Sequence, residues 1–189
     1  MASFNQAYGI TMRNEGGYCN NPNDRGGETW RGIARNFWPN WTGWKIVDQI
    51  KALKPANLNT GLEANATLEA QVLAFYKTNF WDTEGLDGIA SQQVANQLFD
   101  TAVNMGTGVA SKFLQQAINS LKANAVVVDG QVGPKTVAAA NALDSLALYN
   151  AVCALRKTRY EQIIANNPSQ SIFEKSWFSR IKPYDQALS

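Results

Sequence analysis

The chain has 189 residues, of which 45% are apolar and 17% are charged, and its formal net charge is +2. This length and apolar fraction fit one globular domain, or a catalytic lobe with a small second lobe, and exclude an intrinsically disordered chain. The nearly neutral charge argues against nucleic acid as a main partner. Histidine is absent, so the usual Ser-His-Asp, Cys-His and His-zinc sites are excluded. Carboxylates remain as the natural acids and bases.

The first predicted element is a helix that begins after Ser3, a suitable N-cap, and stops at the glycine pair at positions 16 and 17. Glu15 then lies in the last helical turn, where the helix dipole disfavours negative charge and favours a protonated carboxylic acid. Residues 18–33 are rich in Gly, Asn and Pro. They are predicted to form a β-hairpin or an irregular excursion, the only β structure of the chain.

Further helices are predicted from apolar residues at helical spacing. They begin near Thr67, at Ser91, near Gly108 and at Ser145, and the last one runs to about residue 165. Pro134 is placed for the first turn of another helix. Residues 54–59 and 166–169 are predicted loops, both too short for a flexible domain linker. The pattern therefore predicts a mainly α protein.

One segment is unusually aromatic, with Trp30, Phe37, Trp38, Trp41 and Trp44 close together. Aromatic faces of this kind stack on sugar rings in carbohydrate-binding clefts. Core packing is the alternative for most of the five.

Three residues between the first helix and the end of the hairpin suit the cleavage of a glycosidic bond. A glycosidase needs one acid to protonate the leaving oxygen and a second carboxylate to activate water or attack the sugar. Glu15 suits the first task, and Asp24, in a polar loop, stays ionised for the second. Thr29 holds the nucleophilic water through its hydroxyl. Singly, each has an ordinary alternative, as a helix-end acid, an Asx-turn residue or a strand residue; together they predict catalysis.

The ordered motif in this segment resembles the signature of the glycoside hydrolase family 108 N-acetylmuramidases, phage and prophage endolysins related to the T4-type lysozymes. It reads Glu15-Gly16-Gly17-Tyr18, then Pro22-x-Asp24-x-Gly26-Gly27-x-Thr29, then Gly32-Ile33. The resemblance places Glu15 on the catalytic glutamate, and Asp24 and Thr29 on the Asp and Thr of a Glu-x8-Asp-x5-Thr triad. Here only four residues separate Asp24 from Thr29, a departure that bears on Thr29 most. The resemblance implies a lysozyme-like α+β fold with a small β-hairpin after the first helix.

The second half is similar to the predicted peptidoglycan-binding region that accompanies this family's catalytic part. The matching segments are residues 99–106, Leu114-Gln115 and Asp129-Gly130-x-x-Gly133-Pro134-x-Thr136. The resemblance implies a catalytic region at 1–95 and a peptidoglycan-binding helical region at 96–189, which we expect to pack as one globular domain. We expect the Asp-Gly turn to be structural, with direct ligand binding as the alternative.

Asp100 and Asn104 lie one helical turn apart on a predicted helix. They either face the cleft and bind a sugar N-acetyl group, or belong to a buried structural network.

The expected function is that of an endolysin-type N-acetylmuramidase, a lysozyme that hydrolyses the β-1,4 bond between N-acetylmuramic acid and N-acetylglucosamine in peptidoglycan and so lyses bacterial cells. We assign catalysis to Glu15, Asp24 and Thr29, and substrate binding to Tyr18, Trp30, Asp100 and Asn104, with no metal and no cofactor. A lytic transglycosylase cuts the same bond with one Glu, and Asp24 favours hydrolysis over it. A noncatalytic wall-binding module is the other alternative.

The expected partner is the peptidoglycan glycan strand, bound by a monomer without stable membrane insertion. No secretory pattern opens the chain and no run of 18 apolar residues occurs. We expect synthesis in the cytoplasm of the host bacterium without a signal peptide, and action on the cell wall in the periplasm after release or export. Cys19 and Cys153 cannot be paired from sequence alone.

Overall fold

The computed structural model describes residues 1–14, 16–21 and 25–186. The chain divides into two compact units, Gly9–Thr78 and the combination of Met1–Tyr8 with Asn79–Ser189. The described residues form nine α-helices and one three-stranded sheet. The prediction of a mainly α, lysozyme-like α+β fold with a small β element after the first helix is therefore confirmed.

The unit Gly9–Thr78 holds the sheet. Helix α1 (Phe4–Thr11) is followed by a 3-10 turn, Met12–Asn14. The strands are β1 (Cys19–Asn20), β2 (Glu28–Trp30) and β3 (Ile33–Ala34), followed by α2 (Gly43–Ala52), α3 (Leu58–Glu63) and α4 (Ala66–Tyr76). The sheet is antiparallel in the order β1-β2-β3, so β2 is its central strand.

The turn between β2 and β3 consists of two residues, Arg31 and Gly32, with φ of 48° and 78°. Two successive positive φ values are typical of the type I′ turn, whose twist matches that of the flanking strands. The hydroxyl of Tyr76 on α4 donates a hydrogen bond of 2.6 Å to the Arg31 carbonyl. This bond holds the turn in its left-handed conformation and fixes the sheet on α4.

Helix α3 corrects the sequence analysis, because it begins inside the predicted loop at 54–59. Asn57 caps it, since its side-chain oxygen accepts a hydrogen bond of 3.1 Å from the Thr60 amide. Asn65 caps α4 in the same way, with 2.9 Å to the Leu68 amide, so this helix starts one residue before the predicted Thr67.

The other unit is helical and contains the elements that the sequence predicts best. These are α5 (Gln92–Met105), α6 (Thr107–Leu121), α7 (Pro134–Asn141), α8 (Ser145–Asn166) and α9 (Glu174–Phe178). Ser91 caps α5, Asp144 caps α8 through a 2.8 Å bond to the Ala147 amide, and Pro134 is the first residue of α7. The predicted loop at 166–169 is partly helical, because a 3-10 turn, Pro168–Phe173, follows α8.

The core of this unit lies between α5, α6 and α8, which pack against one another. The rings of Phe4, Trp81 and Phe99 meet edge to face with centroids 5.7 to 5.8 Å apart, a favourable geometry for aromatic pairs. In the part of the chain that the structure describes, no single helix is long and apolar enough to cross a membrane. Among the described residues, α7 and α8 taken together have the required length and composition, with a bend of 117° between them.

Candidate active site

Of the three predicted catalytic residues, the structure describes one. Glu15 and Asp24 lie outside the described residues. Thr29 is described, at the middle of the central strand β2, opposite Cys19 of β1 and Ala34 of β3. The 3-10 turn that follows α1 leads to the residue before Glu15.

Thr29 is half-buried, and among the described residues its side chain makes a single weak hydrogen bond. Its hydroxyl donates one long hydrogen bond, 3.3 Å, to the Gly27 carbonyl. Because side chains alternate along a strand, Thr29 points to the opposite face of the sheet from Glu28 and Trp30. A hydroxyl that donates one bond keeps its acceptor capacity, so Thr29 can orient a water molecule.

The turn before β2 requires glycine at position 27. Gly27 has φ of 66°, and a Cβ there would lie 2.8 Å from the amide nitrogen of the Asn36 side chain. That Asn36 amide donates to the Arg25 carbonyl (3.1 Å), while the Asn36 backbone amide donates to the Gly26 carbonyl (3.2 Å). The Gly-Gly pair of the motif therefore lets Asn36 close over the turn and fix the start of β2.

Glu28, which the sequence analysis did not single out, lies at the centre of a charged group on the sheet. Its carboxylate accepts hydrogen bonds from the Tyr18 hydroxyl (2.7 Å) and the Lys51 ammonium (2.5 Å), and forms an ion pair with Arg35 (2.8 Å). Burial, followed by the bond to Glu28, raises the pKa of Tyr18. The bond to Glu28 raises the pKa of Lys51. A carboxylate with three such partners is an anchor and not a proton donor.

Arg35 connects this group to α2. Its guanidinium donates two hydrogen bonds, 3.2 and 2.7 Å, to the Asp48 carboxylate and lies 4.4 Å from the ring centre of Trp44. The bonds from Arg35 lower the pKa of Asp48. We call Tyr18, Glu28, Arg35, Asp48 and Lys51 the Glu28 cluster. The partners of Glu28 lie ten and 23 positions away in sequence, so no local pattern indicates the cluster.

The five clustered aromatic residues divide between core and surface. Trp30 and Trp44 are buried and Trp41 is half-buried, whereas Phe37 is 66% and Trp38 39% exposed. Trp38 packs edge-on against Phe75 at 4.8 Å. Core packing therefore applies to Trp30, whose buried ring presents no face to a sugar, and the exposed aromatic surface is that of Phe37 and Trp38.

Asp100 and Asn104 of α5 belong to a network of buried polar groups. Asp100 accepts hydrogen bonds from Arg156 (2.5 Å) and Arg180 (3.0 Å), one on each carboxylate oxygen. The Tyr160 hydroxyl donates to the Asn104 side-chain oxygen (2.7 Å) and accepts from Arg156 (3.0 Å). Burial raises the pKa of Tyr160. We call these five residues the Asp100 cluster. This geometry is that of the structural network, although Asn104 is itself exposed.

The Asp-Gly turn of the second half is held by one side chain of α6. The Gln115 side-chain nitrogen donates to Asp129 (2.7 Å) and to the Gln131 carbonyl (2.9 Å), and its oxygen accepts from the Gly130 amide (2.9 Å). The bond from Gln115 lowers the pKa of Asp129. The turn leads directly into α7 at Pro134, so its expected structural role is satisfied.

Among residues 1–14, 16–21 and 25–186, no three or more Cys, Asp and Glu side chains are grouped to hold a metal ion. Both cysteines are free thiols, Cys19 exposed and Cys153 buried, and burial raises the pKa of Cys153 to about 11.

Comparisons with known proteins place these regions in families. The glycosyl hydrolase 108 family matches residues 8–106, and the predicted peptidoglycan domain matches residues 109–182. Twelve chains of solved structures match, among them the structure of Brucella abortus SagA. It is 25% identical, with a TM-score of 0.62, and the match covers 94% of this chain and 88% of that one. No curated protein matches. The family match spans more than half of the chain and confirms the resemblance in the motif, so the protein belongs to the glycosyl hydrolase 108 family and carries a peptidoglycan domain after its glycosidase region.

Proposed function

We propose that the protein is an N-acetylmuramidase, which hydrolyses the β-1,4 bond between N-acetylmuramic acid and N-acetylglucosamine in peptidoglycan. One observation carries the proposal: the glycosyl hydrolase match at 8–106 contains Glu15, Asp24 and Thr29, and Thr29 lies on the central strand of the sheet. The peptidoglycan domain at 109–182 supports peptidoglycan as the substrate.

Each of the three residues has a distinct role in this proposal. Glu15 donates a proton to the leaving glycosidic oxygen, and ionised Asp24 activates water or attacks the sugar. Thr29 accepts a hydrogen bond from the attacking water and orients it. The fixed turn at Gly27 and the pairing of β2 on both sides keep the hydroxyl in place, which favours a productive geometry.

The described carboxylates near Thr29 are less suited to these roles. Glu28 is held by Tyr18 and two cations, and Asp48 by Arg35. The bonds from Arg35 keep Asp48 ionised, so Asp48 provides no proton. Glu28 points away from the face of the sheet that carries Thr29.

Substrate binding is proposed for four residues, two by direct contact and two by positioning other groups. Tyr18 uses its hydroxyl to bind Glu28, and the Lys51 ammonium lies over its half-buried ring, 5.5 Å from the ring centre. The proposed contact with sugar therefore uses the part of the ring that Lys51 leaves uncovered. Asn104 is exposed and keeps its amide nitrogen for an N-acetyl carbonyl. Asp100 acts through Arg156 and Tyr160, which position Asn104, and Trp30 acts through packing beneath the sheet.

The proposed cellular role follows from the family resemblance. The protein acts as a monomeric endolysin that is made in the cytoplasm of the host bacterium. It reaches the wall in the periplasm after release or export, and lyses the cell by cutting glycan strands.

The bond specificity is tested by mass spectrometry of purified peptidoglycan digested to completion. The proposal predicts fragments whose new reducing ends are N-acetylmuramic acid. Reducing N-acetylglucosamine ends would show cleavage of the other glycosidic bond, and 1,6-anhydro ends would show a lytic transglycosylase; either result contradicts the proposal. The variant Glu15→Gln, digested in parallel, controls for contaminating hydrolases.

A further inference from the structure

A cavity of about 800 Å³ lies within the peptidoglycan domain, beside the turn that precedes α7. Its lining includes Gln115, Val126, Val127, Asp129, Lys135 and Thr136. Small-molecule sites in proteins commonly have volumes of roughly 300 to 1,000 Å³. The cavity is therefore large enough for a short peptide or an oligosaccharide.

The walls of the cavity are fixed by two amide side chains of α6. Gln115 holds the turn at Asp129 and Gln131 by hydrogen bonds of 2.7 and 2.9 Å. Asn119 holds the lining residue Val126 through paired bonds, donating to its carbonyl at 2.8 Å and accepting from its amide at 3.0 Å. Both loops are thus preorganised, which lowers the entropic cost of binding.

The lining of the cavity includes one carboxylate, Asp129. The Oδ1 atom of Asp129 accepts bonds from Gln115 and from the Gln131 amide, each within 2.9 Å, while no other described residue donates to Oδ2. The bonds from Gln115 and the Gln131 backbone lower the pKa of this exposed carboxyl. Asp129 therefore stays charged and keeps one oxygen for an ammonium group.

The lining also includes one ammonium group, that of Lys135, at the start of α7. Lys135 forms no ion pair within the described ranges, and Gly133, the N-cap of α7, supplies no side chain to cap the first turn. Thr136 lines the cavity and is only 5% exposed as a residue, and its hydroxyl has no hydrogen-bond partner in the part of the chain that the structure describes. Because this hydroxyl is not among the fully buried polar atoms, a ligand in the cavity can reach it, and an uncapped helix start favours a negative charge.

The remaining wall is apolar and carries no aromatic ring within the described residues. Val126 and Val127 form it, and Val127 is 76% exposed. Sugar sites commonly include an aromatic platform, as the exposed rings of Phe37 and Trp38 provide elsewhere in the chain. Small aliphatic side chains instead suit the methyl groups of alanine.

We propose that this cavity is a second binding site, for a short alanine-containing peptide with a free amine and a free carboxylate, as found in the peptide stems of peptidoglycan. Asp129 receives the amine. Lys135, Thr136 and the start of α7 receive the carboxylate, and Val126 and Val127 contact the alanine methyl groups. The choice of stem peptide rests on the proposed action on peptidoglycan, whereas the polarity of the site does not.

The test uses the full chain and the synthetic tetrapeptide L-alanyl-γ-D-glutamyl-L-lysyl-D-alanine, titrated by calorimetry. Parallel titrations use a form with acetylated amines, a form with amidated carboxylates, and chitotetraose as a glycan without peptide. Asp129→Asn keeps the Oδ1 acceptor for Gln115, and Lys135→Gln keeps a polar side chain. Glu161→Gln and Lys157→Gln, on the exposed face of α8, are the matched controls.

Asp129→Asn is expected to weaken the free peptide roughly fivefold and leave the acetylated form unchanged. Lys135→Gln is expected to weaken binding of the peptide with free carboxylates roughly fivefold and to leave binding of the amidated form unchanged. The α8 control variants are expected to bind like the parent. Absence of tetrapeptide binding, equal losses for free and blocked peptides, or binding of chitotetraose that these variants weaken would overturn the proposal. If a variant does not fold, the test is the affinity of the parent protein for the acetylated and the amidated peptides, which should both bind more weakly than the free peptide.

The proposed function fails separately from this one. If the parent protein releases reducing ends but binds no tetrapeptide, only the proposed peptide site is contradicted. If it binds the tetrapeptide through Asp129 and Lys135 but cuts no glycan, only the proposed muramidase activity is contradicted.

Discussion

The Glu28 cluster and the Asp100 cluster contain the same kinds of groups but differ in solvent exposure. Each contains a carboxylate paired with arginine, and each contains a tyrosine hydroxyl. The side chains of Arg35 and Lys51 around Glu28 are 30% and 34% exposed. Arg156 and Arg180 around Asp100 are 0% and 9% exposed. Exposed ion pairs contribute about 0.2 to 1 kcal/mol, whereas breaking a buried one costs about 3 to 5 kcal/mol.

This difference in exposure indicates that one cluster stabilises the fold and the other positions a strand. The Asp100 cluster joins α5, α8 and the segment after α9, so it stabilises the helical unit. The Glu28 cluster adds little to stability but fixes β2, the strand of Thr29, on α2. If Thr29 has the role proposed above, chemistry and stability depend on different charged groups, and the following variants test that separation.

The largest effect is expected for Glu15→Gln. An amide cannot protonate the leaving oxygen, so peptidoglycan cleavage falls by roughly 10² to 10⁴, while the circular dichroism spectrum and melting temperature stay unchanged. Turbidity loss of a wall suspension measures the rate, and Glu63→Gln at the exposed end of α3 is the matched control. Activity within a few-fold of the parent would remove Glu15 as the acid.

Asp100→Ala tests the buried cluster. It leaves the buried guanidinium of Arg156 without its carboxylate, so the free energy of unfolding falls by about 3 to 5 kcal/mol, measured by urea denaturation. Adding Arg156→Met to the same variant removes the unpaired charge and recovers most of the loss. A single variant as stable as the parent would show that the network carries no stability.

Glu84→Gln tests a second buried carboxyl of the helical unit, bonded to the Ser111 hydroxyl at 2.9 Å. Burial raises the pKa of Glu84 to about 7. Between roughly pH 4.5 and 7 the folded protein therefore holds this proton longer than the unfolded chain, and stability falls as pH rises. The variant loses this pH dependence and exceeds the parent at pH 8 by on the order of 2 kcal/mol. Parallel unfolding curves for parent and variant against pH would contradict this.

Thr29→Val removes the proposed water ligand and keeps the shape of the side chain. A lost hydrogen bond of about 0.5 to 1.5 kcal/mol predicts a rate two- to tenfold lower with unchanged stability. Thr29→Ser restores the hydroxyl and should restore the rate. Equal loss in both variants would mean that Thr29 acts through strand packing.

Lys51→Met should have the smallest effect. It removes one of three partners of a partly exposed Glu28, so the free energy of unfolding changes by less than about 1 kcal/mol. A loss comparable to that of Asp100→Ala would erase the contrast between the two clusters.

Local sequence signals predicted the helices whose ends are specified by neighbouring residues alone. Ser91 before an apolar stretch and Pro134 at a first turn specify α5 and α7 from a few neighbouring residues. Helix α3 was missed, because Asn57 and Pro55 together favour a loop as much as a cap. The β structure was predicted as a hairpin or an irregular excursion, but its three strands and their register were not, since the start of β2 depends on Asn36 closing over Gly27.

The candidate site divides in the same way. Glu15, Asp24 and Thr29 were found through an ordered local motif. Glu28 was not, because its cationic partners come from other elements, and Arg156 lies 56 positions from Asp100. Burial of Trp30 beside exposed Trp38 also depends on tertiary packing, which composition does not specify.

The most direct test of the account is digestion of peptidoglycan in H₂¹⁸O, with the new ends reduced by borohydride at once and analysed by mass spectrometry. Hydrolysis at the hairpin predicts one ¹⁸O atom on carbon 1 of each new N-acetylmuramic acid end, above the exchange measured with pre-cut fragments. Unlabelled 1,6-anhydro ends would contradict it, because the sugar would then have closed on its own hydroxyl without water.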